Sequence, residues 1–346
     1  MRCHPAPQRD LFGARSPVIV AWGAGVDSTA MIIEMVRRGE RIDLVLFADA
    51  GSEHPDTYAF IPIFRQWLTD HEIPSVIVRY EVSDFGQWPA YRTLEEECLM
   101  RGLLPSKAFG FGSCSKKWKI VPQERYIRSW QPALDAWGAG LRVVRCIGFD
   151  CSPADSRRYI KSEGRCDPLY QERYPLREWG WTREDCAACI LRAGLPLPPK
   201  SACVFCPVMK PHELLILPIL YLRRIVLMEA RAKPNVRICG LWRAPVKGLR
   251  GATPRPGSMT EYIRDQQLLP AEQIDRIITL AAPALAMWLD QVRASPGLPR
   301  PELSSWLERF DKTVAANMEF ASLSALEIDT PCTPSRSYDD ARQAAA

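Results

Sequence analysis

The first regular pattern in the chain is Pro17 to Ala21, a short apolar and β-branched run that reads as a buried strand. From Asp27 to Arg38 apolar residues recur at Ala30, Ile33 and Val36 against a more polar opposite face, which predicts an amphipathic helix ended by Gly39. Ile42 to Ala48 is again a buried-strand run, Pro55 to Asp70 reads as a helix with Pro62 as a kink, and Ser75 to Tyr80 reads as a third strand. Strand, helix, strand, helix, strand at this spacing predicts parallel βαβ units, and so an α/β fold with a doubly wound parallel sheet. The period is lost between Ser83 and Trp130, apart from a helical segment at Leu94 to Leu99, and returns as a strand at Leu141 to Ile147. From Pro153 to Pro207 the chain is rich in Pro, Arg and Cys. Pro211 to Ala232 then reads as a helix interrupted by Pro218, followed by helical segments at Pro270–Leu280, Pro283–Val292 and Glu302–Phe310. The expected organisation is an arm over 1–16, an α/β unit over 17–210, a helical region over 211–321 and a disordered tail over 322–346.

Composition narrows the class. With 346 residues, 47% hydrophobic and 25% charged, the chain is of the globular type, and collagen, coiled coil and wholesale disorder are excluded. Its most apolar stretch, Leu214 to Leu222, is broken by Pro218 and followed by Arg223 and Arg224, so no membrane partner is expected. The N-terminus lacks a basic-then-apolar signal pattern, which predicts a cytoplasmic protein. Twelve cysteines in such a chain point to a metal or a cluster in place of a disulfide framework.

The segment Ala21-Trp22-Gly23-Ala24-Gly25-Val26-Asp27-Ser28-Thr29 lies between a predicted strand and helix. Glycines there let backbone amides approach an anion, the helix N-terminus adds free N–H groups and partial positive charge, and Ser28 and Thr29 add hydroxyls. No Gly-Lys-Ser/Thr follows, and the third glycine of a dinucleotide fingerprint would fall at Ser28, so neither of those motifs is present. The alternative is a tight turn with Asp27 or Ser28 as a helix cap.

This turn resembles the Ser-Gly-Gly-x-Asp-Ser pyrophosphate loop of the PP-loop ATP pyrophosphatases. The resemblance is strongest to the branch holding phosphoadenylyl-sulfate (PAPS) reductases and sulfurtransferase-like proteins related to DNA phosphorothioation enzymes. Gly23 stands where that family has serine and Ala24 where it has its first glycine, while Gly25, Asp27 and Ser28 match. Phe47 to Thr57 resembles the family's second strand and following turn, which makes Asp49 a candidate for magnesium or the nucleotide. Cys114-Ser-Lys-Lys-Trp-Lys-Ile-Val-Pro122 is similar to the cysteine-then-Lys-x-x-Pro segment of cluster-binding adenylyl-sulfate (APS) reductases. Gly148 to Arg158 resembles the Gly-x-Arg-x-x-Glu-Ser element, with Asp150 in place of the arginine and Arg157 or Arg158 as phosphate ligands; a solvated basic pair is the alternative. The matches span about 17–211 and imply an adenine nucleotide alpha-hydrolase-like sheet. They also imply Asp27 and Ser28 at the reaction centre and ATP with Mg2+ held by Gly23, Ala24, Gly25, Asp27, Ser28, Thr29, Asp49, Arg157 and Arg158.

Two metal readings stay open at the cysteines. Cys186-Ala-Ala-Cys189 and Cys203-Val-Phe-Cys206 together form C-x2-C-x13-C-x2-C, close to a four-cysteine zinc knuckle. The resemblance implies a [4Fe–4S] cluster instead, on Cys114, Cys203 and Cys206, with the fourth position filled by Cys186 or Cys189 or left open. The cluster is favoured because Cys114 has no role in the zinc version, and the expected set is Cys114, Cys186, Cys203 and Cys206. Cys3, Cys98, Cys146, Cys151, Cys166, Cys239 and Cys332 read as ordinary thiols.

From Arg223 to Arg255 nine Lys or Arg face one acid, Glu229, an excess of eight that exceeds the net +5 of the chain. Such a field suits a nucleic-acid partner, with a solvated basic surface as the alternative. The combined expectation is an ATP-dependent enzyme that adenylates a substrate with release of pyrophosphate, for sulfur transfer from an unknown donor. One rival is a PAPS or APS reductase, although Cys332, the only late cysteine, lacks the Glu-Cys-Gly-like setting those enzymes use. The other is a non-catalytic nucleotide-binding regulator.

Overall fold

The computed structural model describes residues 15–81, 91–162, 166–248, 253–294 and 303–315. Nearly all of the expected arm and the whole of the expected tail lie outside the described residues.

Five strands form one parallel sheet in the order β3-β2-β1-β4-β5: β1 (Val18–Trp22), β2 (Leu44–Asp49), β3 (Ser75–Arg79), β4 (Val143–Ile147) and β5 (Tyr170–Arg173). Because side chains alternate across a strand, β2 sends Val45 and Phe47 to one face and Leu44, Leu46 and Ala48 to the other. On the first face α1 (Val26–Arg37) and α2 (Pro55–Asp70) cover the strands. The second is covered through Ile127 and Ala133, residues that follow β3 in the chain. Helices on both faces make the fold α/β and doubly wound, as expected.

After β3 come α3 (Leu94–Arg101), α4 (Ser113–Ser115), a π-helical turn at Lys116–Ile120, α5 (Val121–Ile127) and α6 (Gln131–Gly138). Over 91–130 the chain forms short helical pieces, α4 and α5 joined through the π turn, each too short to show a sustained apolar period. The Pro- and Cys-rich stretch also folds: α7 (Pro153–Ser162) precedes β5, and α8 (Pro175–Glu178) and α9 (Arg183–Arg192) follow it, with α9 packed along α1.

Pro218 separates α10 (Pro211–Leu215) from α11 (Ile219–Ala232) and takes the N-cap position of α11, where its missing N–H costs nothing. The chain then forms α12 (Met259–Asp265), α13 (Ala271–Ala294) and α14 (Leu303–Ala315). The two helices expected either side of Pro283 are one continuous helix, α13. A single buried cluster joins Ala50, Leu94, Cys98, Trp118 and Cys203 to Leu222, Ile274, Trp306 and Phe310, so the helical region shares its core with α3 and the 203–217 segment.

Candidate active site and thiol centre

The sheet order reverses at β1: β2 and β3 lie on one side of it, β4 and β5 on the other. In open α/β sheets the crevice at the carboxyl ends of the two strands flanking such a reversal is where ligands bind. Gly23 to Thr29 leaves β1 there, and Gly148 to Asp155 leaves β4 beside it. The two segments are in close contact, since a Cβ on Gly148 would sit 3.0 Å from both Cα and N of Ser28.

The turn closes on itself. The Gly23 amide donates to Ser28 Oγ at 3.1 Å, and Trp22 Nε1 donates to Thr29 Oγ1 at 2.9 Å in a buried bond. Gly25 is the N-cap of α1 and no side chain caps that end, so Asp27 and Ser28 are not helix caps. Ala24 is fully buried and left-handed at φ 54°, a conformation that favours glycine.

Three carboxylates converge on this turn: single oxygens of Asp27, Asp150 and Asp155 lie within 4.8 Å of one another. Asp27 Oδ2 is held by Arg183 of α9 at 2.6 Å, whereas its Oδ1 is buried with no hydrogen-bond partner among the described residues. Burial raises the Asp27 carboxyl above its usual range; Arg183 opposes this, and the charges of Asp150 and Asp155 add to it. Asp155 is raised in the same way by burial, against the pull of Arg158 at 2.9 Å.

The remaining predicted nucleotide ligands divide. Arg157 and Arg158 are exposed on α7, the helix that carries Asp155. Asp49 is buried and engaged by protein donors: Oδ1 accepts from the Gly51 amide and the Tyr58 hydroxyl, both at 2.8 Å, and Oδ2 pairs with Arg79 Nη2 at 2.9 Å. Its oxygens hold the turn after β2 and are not part of the carboxylate trio.

The cysteines fall into two separate places. Cys186 and Cys189 project from α9 into the core under α1, where Cys189 Sγ lies 3.9 Å from the Ala30 carbonyl and Cys186 feels the charges of Asp27 and Asp150. Cys203 belongs to the core shared with the helical region, and Cys114 and Cys206 pack against that core. The structure therefore does not bring Cys186 to the other three predicted ligands, and the zinc-knuckle spacing does not correspond to one site.

Cys114, Cys203 and Cys206 do gather. The Cys206 amide donates to the Cys203 carbonyl at 3.0 Å, and burial comes first in pushing the Cys203 and Cys206 thiols up, with Cys114 adding to both. Cys203 pairs with Glu53 as an isolated antiparallel bridge, and Glu53 Oε1 takes Lys119 Nζ at 2.6 Å. Lys119 comes from the π turn that follows Cys114, and it lies close enough to lower both the Cys203 and the Cys206 thiol. These sulfurs are not drawn together as tightly as the three carboxylates: no set of them meets the 4.8 Å spacing. A tetrahedral zinc with Zn–S of about 2.3 Å needs sulfurs about 3.8 Å apart, whereas a multi-iron cluster seats its cysteines on different metals and farther from one another.

The basic segment also divides. Arg224 is buried between Asp311 at 2.9 Å and Glu95 at 3.5 Å, Arg231 Nε donates to the Leu99 carbonyl, and Arg255 lies 4.4 Å over the Trp242 ring. These serve the fold. Lys233, Arg237, Arg243 and Lys247 are exposed, and Arg250 lies outside the described residues. No described helix is long and apolar enough to cross a membrane.

Sequence reasoning missed Asp155 and Arg183 as partners of Asp27, and it set Asp150 aside as a departure from a motif. The signal available for Asp150 was its place just past a strand end. Arg183, 156 residues from Asp27, left no signal.

No protein-family profile matches the chain, and no curated protein does. Among solved structures, the U34-tRNA thiolase NcsA from Methanococcus maripaludis, solved with its [4Fe-4S] cluster, is similar over 74% of this chain and 82% of its own, at 11% identity and a TM-score of 0.33. A likeness at that level carries no inference about activity.

Proposed function

We propose that the chain is a PP-loop ATP-dependent enzyme that adenylates a substrate with release of pyrophosphate, in the service of sulfur transfer onto a nucleic acid. The observation that carries this reading is the trio Asp27, Asp150 and Asp155 beside an uncapped, glycine-bearing strand-to-helix turn at the sheet's switch point. A divalent cation fits the trio: hard carboxylate oxygens converge, and one Asp27 oxygen is buried without a donor. Asp27, Asp150 and Asp155 would hold Mg2+, which supplies charge neutralisation and orientation for a triphosphate.

The turn's amides and the N-terminus of α1 bind the β- and γ-phosphates of ATP, and the exposed Arg157 and Arg158 lie within the same region as further phosphate donors. An acceptor oxygen attacks the α-phosphorus, the α–β bridging bond breaks, and pyrophosphate leaves to give the adenylated acceptor. The protein's contribution is positioning and charge neutralisation. Cys114, Cys203 and Cys206 fit a [4Fe–4S] cluster by donor type and by their common location, and such a group would supply sulfur or electron chemistry next to the adenylated product. Lys233, Arg237, Arg243 and Lys247 offer an exposed positive surface to a polyanionic acceptor.

The test is pyrophosphate release from Mg·ATP, assayed with tRNA and with DNA as acceptors. The expected result is release that depends on one of them and is abolished by Asp27→Ala. Orthophosphate in place of pyrophosphate, or release unaffected by Asp27→Ala, overturns the assignment.

A further inference from the structure

Three predicted ligands leave one position of a cubane unassigned, and Cys186 is in the other core. A different cysteine is present at the thiol centre. Cys98 lies in the middle of α3, a helix set by the Thr93 side chain, which accepts from the Glu96 amide, and ended by left-handed Gly102 at φ 60°. It is 4% exposed and belongs to the same buried cluster as Cys203; Cys114 and Cys206 pack against that cluster. It also lines, with Cys114, a cavity of about 390 Å³ bounded by Leu104, Pro105 and Phe109. Glu97, its neighbour on α3, lines the same cavity.

We propose that Cys98 is the fourth protein ligand of the metal centre, so that Cys98, Cys114, Cys203 and Cys206 together hold one [4Fe–4S] cluster. This rests on the cluster reading given above and adds a residue to it. A buried cysteine in an apolar core is ordinarily a small packing residue. Here Cys98 shares an open volume with Cys114, and the core it belongs to also holds Cys203 and packs against Cys206, a combination that packing alone does not require. The four thiols come from three places in the chain: α3, the start of the π-turn segment, and the Cys203–Cys206 turn. On ligation each would give up its proton, and Lys119, held at 2.6 Å by Glu53, the bridge partner of Cys203, would offset the added negative charge. With four thiolates every iron is coordinated, so sulfur handled by the enzyme does not enter as a ligand of an open iron site.

The full-length chain, reconstituted anaerobically with ferrous iron and sulfide, tests this through iron, sulfide and zinc content together with absorption and electron paramagnetic resonance spectra. The expected result is one cubane per wild-type chain, a several-fold loss of iron or a three-iron signal in Cys98→Ser and Cys98→Ala, and a wild-type spectrum in Cys186→Ser. Wild-type iron content and spectra in both Cys98 variants overturn the assignment of Cys98 while leaving the cluster reading intact. A wild-type chain that takes up zinc and no iron overturns both. Because the Cys98 variants can fail to fold, wild-type holoprotein is also titrated with sulfide and with cyanide: an unchanged spectrum is expected of a fully coordinated cluster, and a shifted one reveals an open iron and overturns the proposal.

Discussion

The turn after β1 and the thiol centre are built in opposite ways. The turn is one contiguous segment, Gly23 to Thr29, locked by its own hydrogen bonds and completed by the loop after β4. Cys114, Cys203 and Cys206 come from segments 89 residues apart, brought together because the π-turn segment and the 203–206 turn share a core with the C-terminal helices. The first collects carboxylate oxygens that are not all satisfied by protein donors; the second collects sulfurs at the edge of an apolar core. A local site is therefore sensitive to single charges within it, and a distributed one to loss of any strand of its support.

The largest effect is expected from removing charge at the turn. Asp27→Ala and Asp150→Asn should each reduce pyrophosphate release by about 10²- to 10³-fold, the scale for loss of one electrostatic partner of a transition state. Steady-state assays with circular dichroism as a check on folding measure this; a Cys98 or Cys203 variant that lowers ATP affinity as strongly would erase the distinction between the two regions.

The thiol centre supplies the second test. Cys203→Ser should lose most of the iron of the reconstituted protein, whereas Cys186→Ser, in the core under α1, should keep it and show only a modest fall in melting temperature. Equal iron loss in both would mean that the two cysteine pairs cooperate after all.

The third concerns pH and magnesium. The folded chain holds the Asp27 and Asp155 protons more tightly than the unfolded chain, where the carboxyls titrate near 3.8. Stability therefore falls as pH rises from that value through the raised native one, and the penalty persists at neutral pH. Added Mg2+ should raise the melting temperature at pH 7 and have little effect at acid pH. Asp27→Asn should raise it without magnesium and abolish the response. A magnesium response retained in that variant would place the cation elsewhere.

The smallest effect is expected at Ala24. Replacement by glycine relieves a left-handed alanine at φ 54° and should stabilise the fold by about 1 kcal/mol in denaturant titrations. A loss of stability would show that the alanine methyl packs to advantage.

How far the sequence disclosed all this follows from the same contrast. β1 to β4, α1, α2 and the glycine turn after β1 were legible because period and glycine placement are local signals, and β1 to β3 lie within one or two residues of their expected bounds; β5 was not, because its four residues sit in the Pro-, Arg- and Cys-rich stretch. Asp27 was legible for the same reason, but the convergence of Asp150, Asp155 and Arg183 on it depends on β4 lying next to β1 and α9 lying along α1. The spacing of Cys186, Cys189, Cys203 and Cys206 suggested one site, yet α9 turns its pair toward α1 and away from the other. In the basic segment, charge was countable, whereas the burial of Arg224 against Asp311 was not. Asp49, read as a ligand at a strand end, anchors the following turn through Tyr58 and Arg79, contacts that its sequence position did not disclose.

The most direct measurement is equilibrium binding of Mg·ATP to the full-length chain by titration calorimetry, repeated with Asp27→Ala and Asp150→Asn. Saturable binding that needs magnesium and is lost in both variants is the predicted result. Binding of equal strength in all three proteins, or none to the wild type, would contradict the placement of a triphosphate at the bend after the first strand.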